Sequence, residues 1–228
     1  MPYTFDSRQK NTPAGLSGKG AGRPDAFLDP GRETSEQKLI RESMERFLTF
    51  DQETMIRRFS LKADENHMYI CFIGREFTID RQNGALTQDG RPANSSEMAA
   101  IFELLTKSAP APVPLGKWAS IAQLCTNTTS TELTKYAKRL APFEGHTDLL
   151  SEACVRLGGK EAKGGDVSYI LPVFENIPVW FQYWEKDEEF DTSVQFLWDA
   201  SVSLHFRWAT LWNIMDCLVD RILEMKNI

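Results

Sequence analysis

Between Gly164 and Phe206 large apolar side chains recur at every second position through three consecutive runs. Few patterns restrict a chain more, because a period of two is the period of extended backbone whose successive side chains face opposite ways. Val167, Tyr169, Leu171 and Val173 share one face of the first run, with Ser168 and Ile170 between them. Pro172 removes a ladder donor from that run, so the strand should end at a sheet edge or a bulge. Glu175 and Asn176 make the turn into a second run, Ile177 to Trp184. There Val179, Phe181 and Tyr183 oppose Trp180, Gln182 and Trp184; both faces are largely apolar, and both are expected to be covered. A third run sets Val194, Phe196 and Trp198 against Ser193, Gln195 and Leu197. Three such runs with short links specify an antiparallel meander.

Helical spacing dominates most of the remaining chain. Residues 1–32 are rich in Gly, Pro and charge and hold too little apolar surface to offset ordering entropy, which predicts a flexible tail ahead of one domain over 33–228. Ile40, Met44, Phe47 and Leu48 mark an amphipathic helix, and Asp51 is placed to cap a second, short one. Met68, Ile70 and Phe72 then alternate with Tyr69, Cys71 and Ile73, and Phe77 and Ile79 continue the pattern beyond Gly74, a hairpin over 68–81. Asn94 with Glu97 reads as a capping box for a helix packed through Met98, Ile101, Phe102 and Leu105. The proline-rich segment 108–114 is the candidate hinge or crossover. Beyond it, Trp118, Ile121 and Leu124 suggest a short helix, and two further stripes run from Leu133 to Leu140 and from Leu149 to Leu157, where Gly158-Gly159 stops the second. The last stripe, Trp208, Leu211, Trp212, Met215, Leu218, Val219 and Ile222, is expected to dock on the sheet. The fold class that follows is α+β, an antiparallel sheet from hairpin and meander packed by amphipathic helices. Whether the two strand groups join in one sheet is left open.

A net charge of −6 with scattered Lys and Arg argues against nucleic acid as a partner. No stretch approaches the roughly 20 apolar residues of a membrane span, and the amino terminus lacks the pattern of a signal peptide. Cys71, Cys125, Cys154 and Cys217 fall in four separate elements with no Cys-x-x-Cys pair, a spacing that fits neither a zinc ribbon nor an iron–sulfur cluster. They read as buried thiols in a reducing, cytoplasmic setting.

The densest ionisable cluster is Glu185, Asp187, Glu188, Glu189 and Asp191 around Lys186. In extended backbone Glu185 and Asp187 would point one way and could hold a hard cation; otherwise the run is a solvated connection. Glu185 adjoins Trp184 at a strand end, where a partly buried carboxyl can act as acid or base. Asp166, after Gly164-Gly165, and Asp199, before Ala200-Ser201, suit turns or caps, and alternatively join Glu185 in one cleft. His205 is the histidine best placed for proton transfer. Five of the six tryptophans lie between Trp180 and Trp212; Trp180, Tyr183 and Trp184 either are plain core or line a pocket for a flat ligand beside Asp199. Nucleophile elbow, P-loop and dinucleotide fingerprints are missing from the sequence.

Gly165-Asp166, Leu171-Pro172, Ile177-Pro178, Trp184-Glu185, Asp187 to Phe190, Ser193-Val194 and Phe196 through Ser201 together resemble the C-terminal signature of DUF3786, an uncharacterised family of anaerobic bacteria and archaea. Phe72 to Phe77 and Pro114 to Trp118 extend the likeness over roughly residues 35 to 225. The resemblance implies no catalytic residues. Some relatives are joined to iron–sulfur segments or lie near corrinoid-dependent one-carbon metabolism, yet this chain carries no such cysteine cluster. The expectation for function is therefore a non-catalytic ligand-binding or accessory module with an aromatic and acidic cleft. Its partner would be a small molecule or cofactor. The alternatives are an acid–base or metal-assisted enzyme using Glu185, Asp166 and His205, and a module that binds a protein partner.

Overall fold

A computed structural model describes residues 35–107, 110–124 and 133–226. The expectations for the tail and for Cys125 fall outside the described residues. Among the described residues the strands form two antiparallel sheets of five strands each, which answers the question the two strand groups had posed. The first is a meander in chain order: β1 (Lys62–Ala63), β2 (His67–Phe72), β3 (Arg75–Asp80), β4 (Leu86–Gln88) and β5 (Arg91–Pro92). Its centre is the expected hairpin, with Met68 opposite Ile79 and Ile70 opposite Phe77. Both residues of its two-residue turn have positive φ, Ile73 at 45° and Gly74 at 71°. Glycine adopts that conformation cheaply, whereas a β-branched residue does not. Ile73 is held there by burial and by its N–H, which donates to Val173 O at 2.9 Å in the other sheet.

The second sheet is centred on the anticipated meander of β8 (Val167–Phe174), β9 (Ile177–Trp184) and β10 (Ser193–Asp199). It is flanked by β6 (Trp118–Ser120) on β10 and β7 (Lys160–Glu161) on β8. The register shifts between Pro172 and Phe174, so the proline sits beside a bulge as its missing donor requires. The helical reading of Trp118 to Leu124 is corrected: only Ile121–Leu124 forms a helical turn (α4), and Trp118–Ser120 pairs with Leu197–Asp199. The open edge of β10 supplied partners that spacing along the chain could not reveal.

Seven helices are present among the described residues. Besides α4 they are α1 (Ser35–Leu48), α2 (Gln52–Phe59), α3 (Ser95–Lys107), α5 (Thr134–Leu140), α6 (Thr147–Arg156) and α7 (Trp208–Met225). The caps form as the sequence suggested. Asp51 accepts the Glu53 N–H, and Asn94 and Glu97 make a reciprocal box at the start of α3. α3 is central, buried on most of its circumference from Met98 to Leu105, with α1 and α7 packed on it. α7 was expected to dock on the sheet, but its main contacts run to α3, α6 and α5. α5 and α6 cover β10 and β8 first, so Trp212 of α7 meets the sheet through Tyr136, which lies edge-on to Phe196. Trp208, assigned to the buried stripe, is 58% exposed in the first turn of α7. One continuous apolar core takes in both sheets, joined where Phe72 and Phe174 approach to 4.9 Å.

Candidate functional site

The sequence-derived site residues divide between the two ends of the second sheet. At the β9 end, Gly164-Gly165 carries the chain across the strand. Gly165 has φ 65°, and a Cβ there would meet Tyr183 O at 2.6 Å, so no larger residue fits. The crossing brings Asp166 onto the strand end, where its N–H donates to Tyr183 O and its Oδ2 accepts the Glu185 N–H at 2.7 Å. Glu185 in turn accepts the Gly145 N–H. Asp166 and Glu185 are thus brought together, chiefly through backbone bonds. Asp187 is turned away into a tight loop. Its Oδ1 accepts the N–H groups of Glu189 and Phe190 at 2.8 and 2.7 Å, which hold its carboxyl below the usual range. Residues 185–187 leave β9 without regular structure and the chain bends at Glu188 and Glu189, and among the described residues no group of three or more His, Cys, Asp or Glu side chains is arranged to hold a metal ion.

Asp199 and His205 lie at the other end. Six residue steps of about 3.4 Å separate Ser193 from Asp199, about 20 Å along β10. The structure therefore does not bring His205 to Glu185 and Asp166. Asp199 is 2% exposed and accepts four bonds: from the N–H groups of Leu115 (3.0 Å), Gly116 (2.7 Å) and Ser201 (3.0 Å), and from the Ser201 hydroxyl (2.5 Å). Burial alone would raise this carboxyl, but the four donors outweigh it and leave it below its ordinary value. His205, 1% exposed, is pushed down by burial and by the nearby Lys107 cation. The aromatic residues are also divided. Tyr183 points into the core, whereas Trp180 and Trp184 stand half-buried on the opposite face, with Trp180 Nε1 donating to Ser168 Oγ at 2.8 Å and its ring edge-on to Trp118. The covering expected for both faces of β9 is thus partial among the described residues.

A cleft of about 370 Å³ opens elsewhere, at the seam where β1 and β2 of the first sheet meet the β8–β9 turn of the second. Phe59, Leu61, Ile70, Leu104, Pro112 and Phe174 make its apolar wall, and Arg58, Lys62, Glu76, Glu175 and Asn176 its polar rim. Tyr69 and the exposed Cys71 also face it. Burial raises the Cys71 thiol, and the carboxylates of Glu76 and Glu175 add to the effect, so the thiol stays protonated at neutral pH. Sequence reasoning assigned β2 and the β8–β9 turn correctly but gave this cleft no role. Its walls come from α2, β2, α3, the 110–112 segment and the β8–β9 turn, and no local motif joins them. The one signal available was Phe174-Glu175-Asn176, an aromatic beside a polar turn.

Two five-stranded antiparallel sheets with helices packed on them define an α+β protein. Within that class, the family model described as "Domain of unknown function (DUF3786)" matches residues 51–221, and the chain belongs to this family. Neither the curated proteins nor the solved structures returned a match.

Proposed function

We propose that the chain is a non-catalytic binding module that holds a small molecule with an apolar body and a polar end in the seam cleft. The observation that carries this reading is the cleft itself: about 370 Å³, in the range of small-ligand sites, with an apolar wall and a short rim of charged groups of both signs. The site lies where two sheets meet, so a ligand would bridge elements distant in sequence. A cytoplasmic location belongs to the same proposal. It is supported by the free thiols Cys71, Cys154 and Cys217 among the described residues, which suit a reducing compartment. No described helix is long and apolar enough to cross a membrane.

The test uses anilinonaphthalene sulfonate, whose fused rings and single anionic group match the wall and the Arg58–Lys62 rim. The native protein should bind one dye per chain, and bound dye should slow maleimide labelling of Cys71. Leu61→Asp, which sets a charge in the apolar wall, should weaken dye binding at least tenfold while the melting transition stays cooperative. Dye binding that neither protects Cys71 nor responds to Leu61→Asp would refute the assignment.

A further inference from the structure

A second cleft, of about 320 Å³, runs between α1 and α3. Its apolar floor is Phe102 and Leu39, the latter 52% exposed. Arg46, Lys107 and Arg207 surround that floor. The lone carboxylate in its lining, Glu103, is already committed. It accepts the Arg207 N–H at 2.9 Å, the Arg207 Nε at 3.1 Å, the Thr210 hydroxyl and the Lys107 ammonium at 3.3 Å. In a chain of net charge −6 this groove is locally cationic, and it suits an aromatic or aliphatic side chain flanked by carboxylates.

Among the described residues, one loop presents that chemistry. The loop between β9 and β10 carries Glu188, Glu189 and Phe190, and Phe190 is 71% exposed. The loop is not slack. Asp187 accepts the N–H groups of Glu189 and Phe190, and the Asp187 N–H donates to Phe190 O at 3.0 Å, so the phenyl ring and the carboxylates are displayed on a preformed turn. Preorganisation lowers the entropy cost of docking. The loop and the groove cannot meet within one copy, because the loop precedes Ser193 and Arg207 follows Asp199, with the full length of β10 between them.

We propose that copies of this chain associate head to tail, the Phe190 turn of one seated in the α1–α3 groove of the next. Such a contact is heterologous, leaving a free loop at one end and a free groove at the other, so it propagates unless a ring closes. The contact is small and charged, hence weak and salt-sensitive.

Sedimentation velocity on the full chain tests the idea. At low ionic strength the weight-average sedimentation coefficient should rise with concentration, and added salt should reverse the rise. Phe190→Ala and Arg46→Glu, both at exposed positions, should each leave a folded monomer, with association weakened at least tenfold. The two variants mixed should form a one-to-one dimer, because the first keeps its groove and the second keeps its loop. The charge exchange Arg46→Glu with Glu189→Arg should recover part of the self-association. A wild-type chain that stays monomeric at low salt, association that persists in both single variants, or a mixture that stays monomeric while the wild type associates would each overturn the proposal.

Discussion

The two ends of the second sheet both carry carboxylates, and they use them in opposite ways. At the β9–β10 turn, four acidic residues from Asp187 to Asp191 lie in exposed chain, and Asp187 does no more than shape its own loop. At the far end a single aspartate, Asp199, draws together Leu115, Gly116 and Ser201 across more than 80 residues of sequence. Glu103 of α3 ties down the start of α7, at Arg207 and Thr210, in the same manner. Density of charge in the sequence marked the end where little depends on charge. What gives a carboxylate structural weight is burial together with converging donors, because a buried N–H left without an acceptor costs far more than an exposed one.

The contrast can be broken most severely by removing what covers the buried end. A chain truncated after Asp199 loses α7, whose Leu211, Ile214, Met215, Leu218, Val219 and Ile222 are all in the core. At about 1.5 to 3 kcal/mol for each large apolar side chain, the loss is as large as the whole stability of an ordinary domain, and no cooperative thermal transition should remain by circular dichroism. Next in size is Asp199→Ala, which leaves the part-buried N–H groups of Leu115 and Gly116 and the buried N–H of Ser201 without their acceptor and should cost about 3 kcal/mol in urea unfolding. Retention of wild-type stability in that variant would mean the donors find other partners. Glu103→Ala should cost less, about 2 kcal/mol, because the Arg207 and Lys107 side chains reach solvent.

The pH dependence sharpens the same contrast. Asp199 and Glu103 both titrate below their ordinary values in the folded chain. A depressed folded value means the charged form stabilises the fold above the unfolded value, and that contribution is lost as the pH falls through the folded one. Stability should therefore decline below about pH 4, and the double variant Asp199→Asn with Glu103→Gln should show a shallower decline from a lower plateau. The smallest effect belongs to the exposed end. Glu188→Gln with Glu189→Gln should leave the melting midpoint at neutral pH unchanged, and a clear shift would show that the acidic turn contributes more than its exposure suggests.

Much of the fold was legible beforehand for a local reason. The three runs of the meander, the 68–81 hairpin, the Asp51 cap and the Asn94–Glu97 box each rest on contacts within a few residues, so period and spacing report them directly. The short partner strands were not legible: Trp118–Ser120 has helical spacing with its neighbours and becomes a strand only because β10 has an open edge. The candidate site fared worse. Asp166 and Glu185 do meet, through the crossing at Gly165, whereas His205, Asp199 and the two faces of β9 were distributed by the register. The seam cleft was invisible, since five separate elements contribute its walls.

The sequence by itself determined which of the longer segments are strand or helix, where most of them stop, and that aromatic side chains would fill the centre, because backbone period, caps and burial are properties of short stretches of chain. Only the tertiary structure decided that there are two sheets rather than one, that a lone aspartate rather than the acidic run bears structural load, and that cavities open at the seam and between α1 and α3. Those outcomes depend on strand order and on which distant surfaces meet, and they follow from closing loops tens of residues long, for which no local pattern is a record.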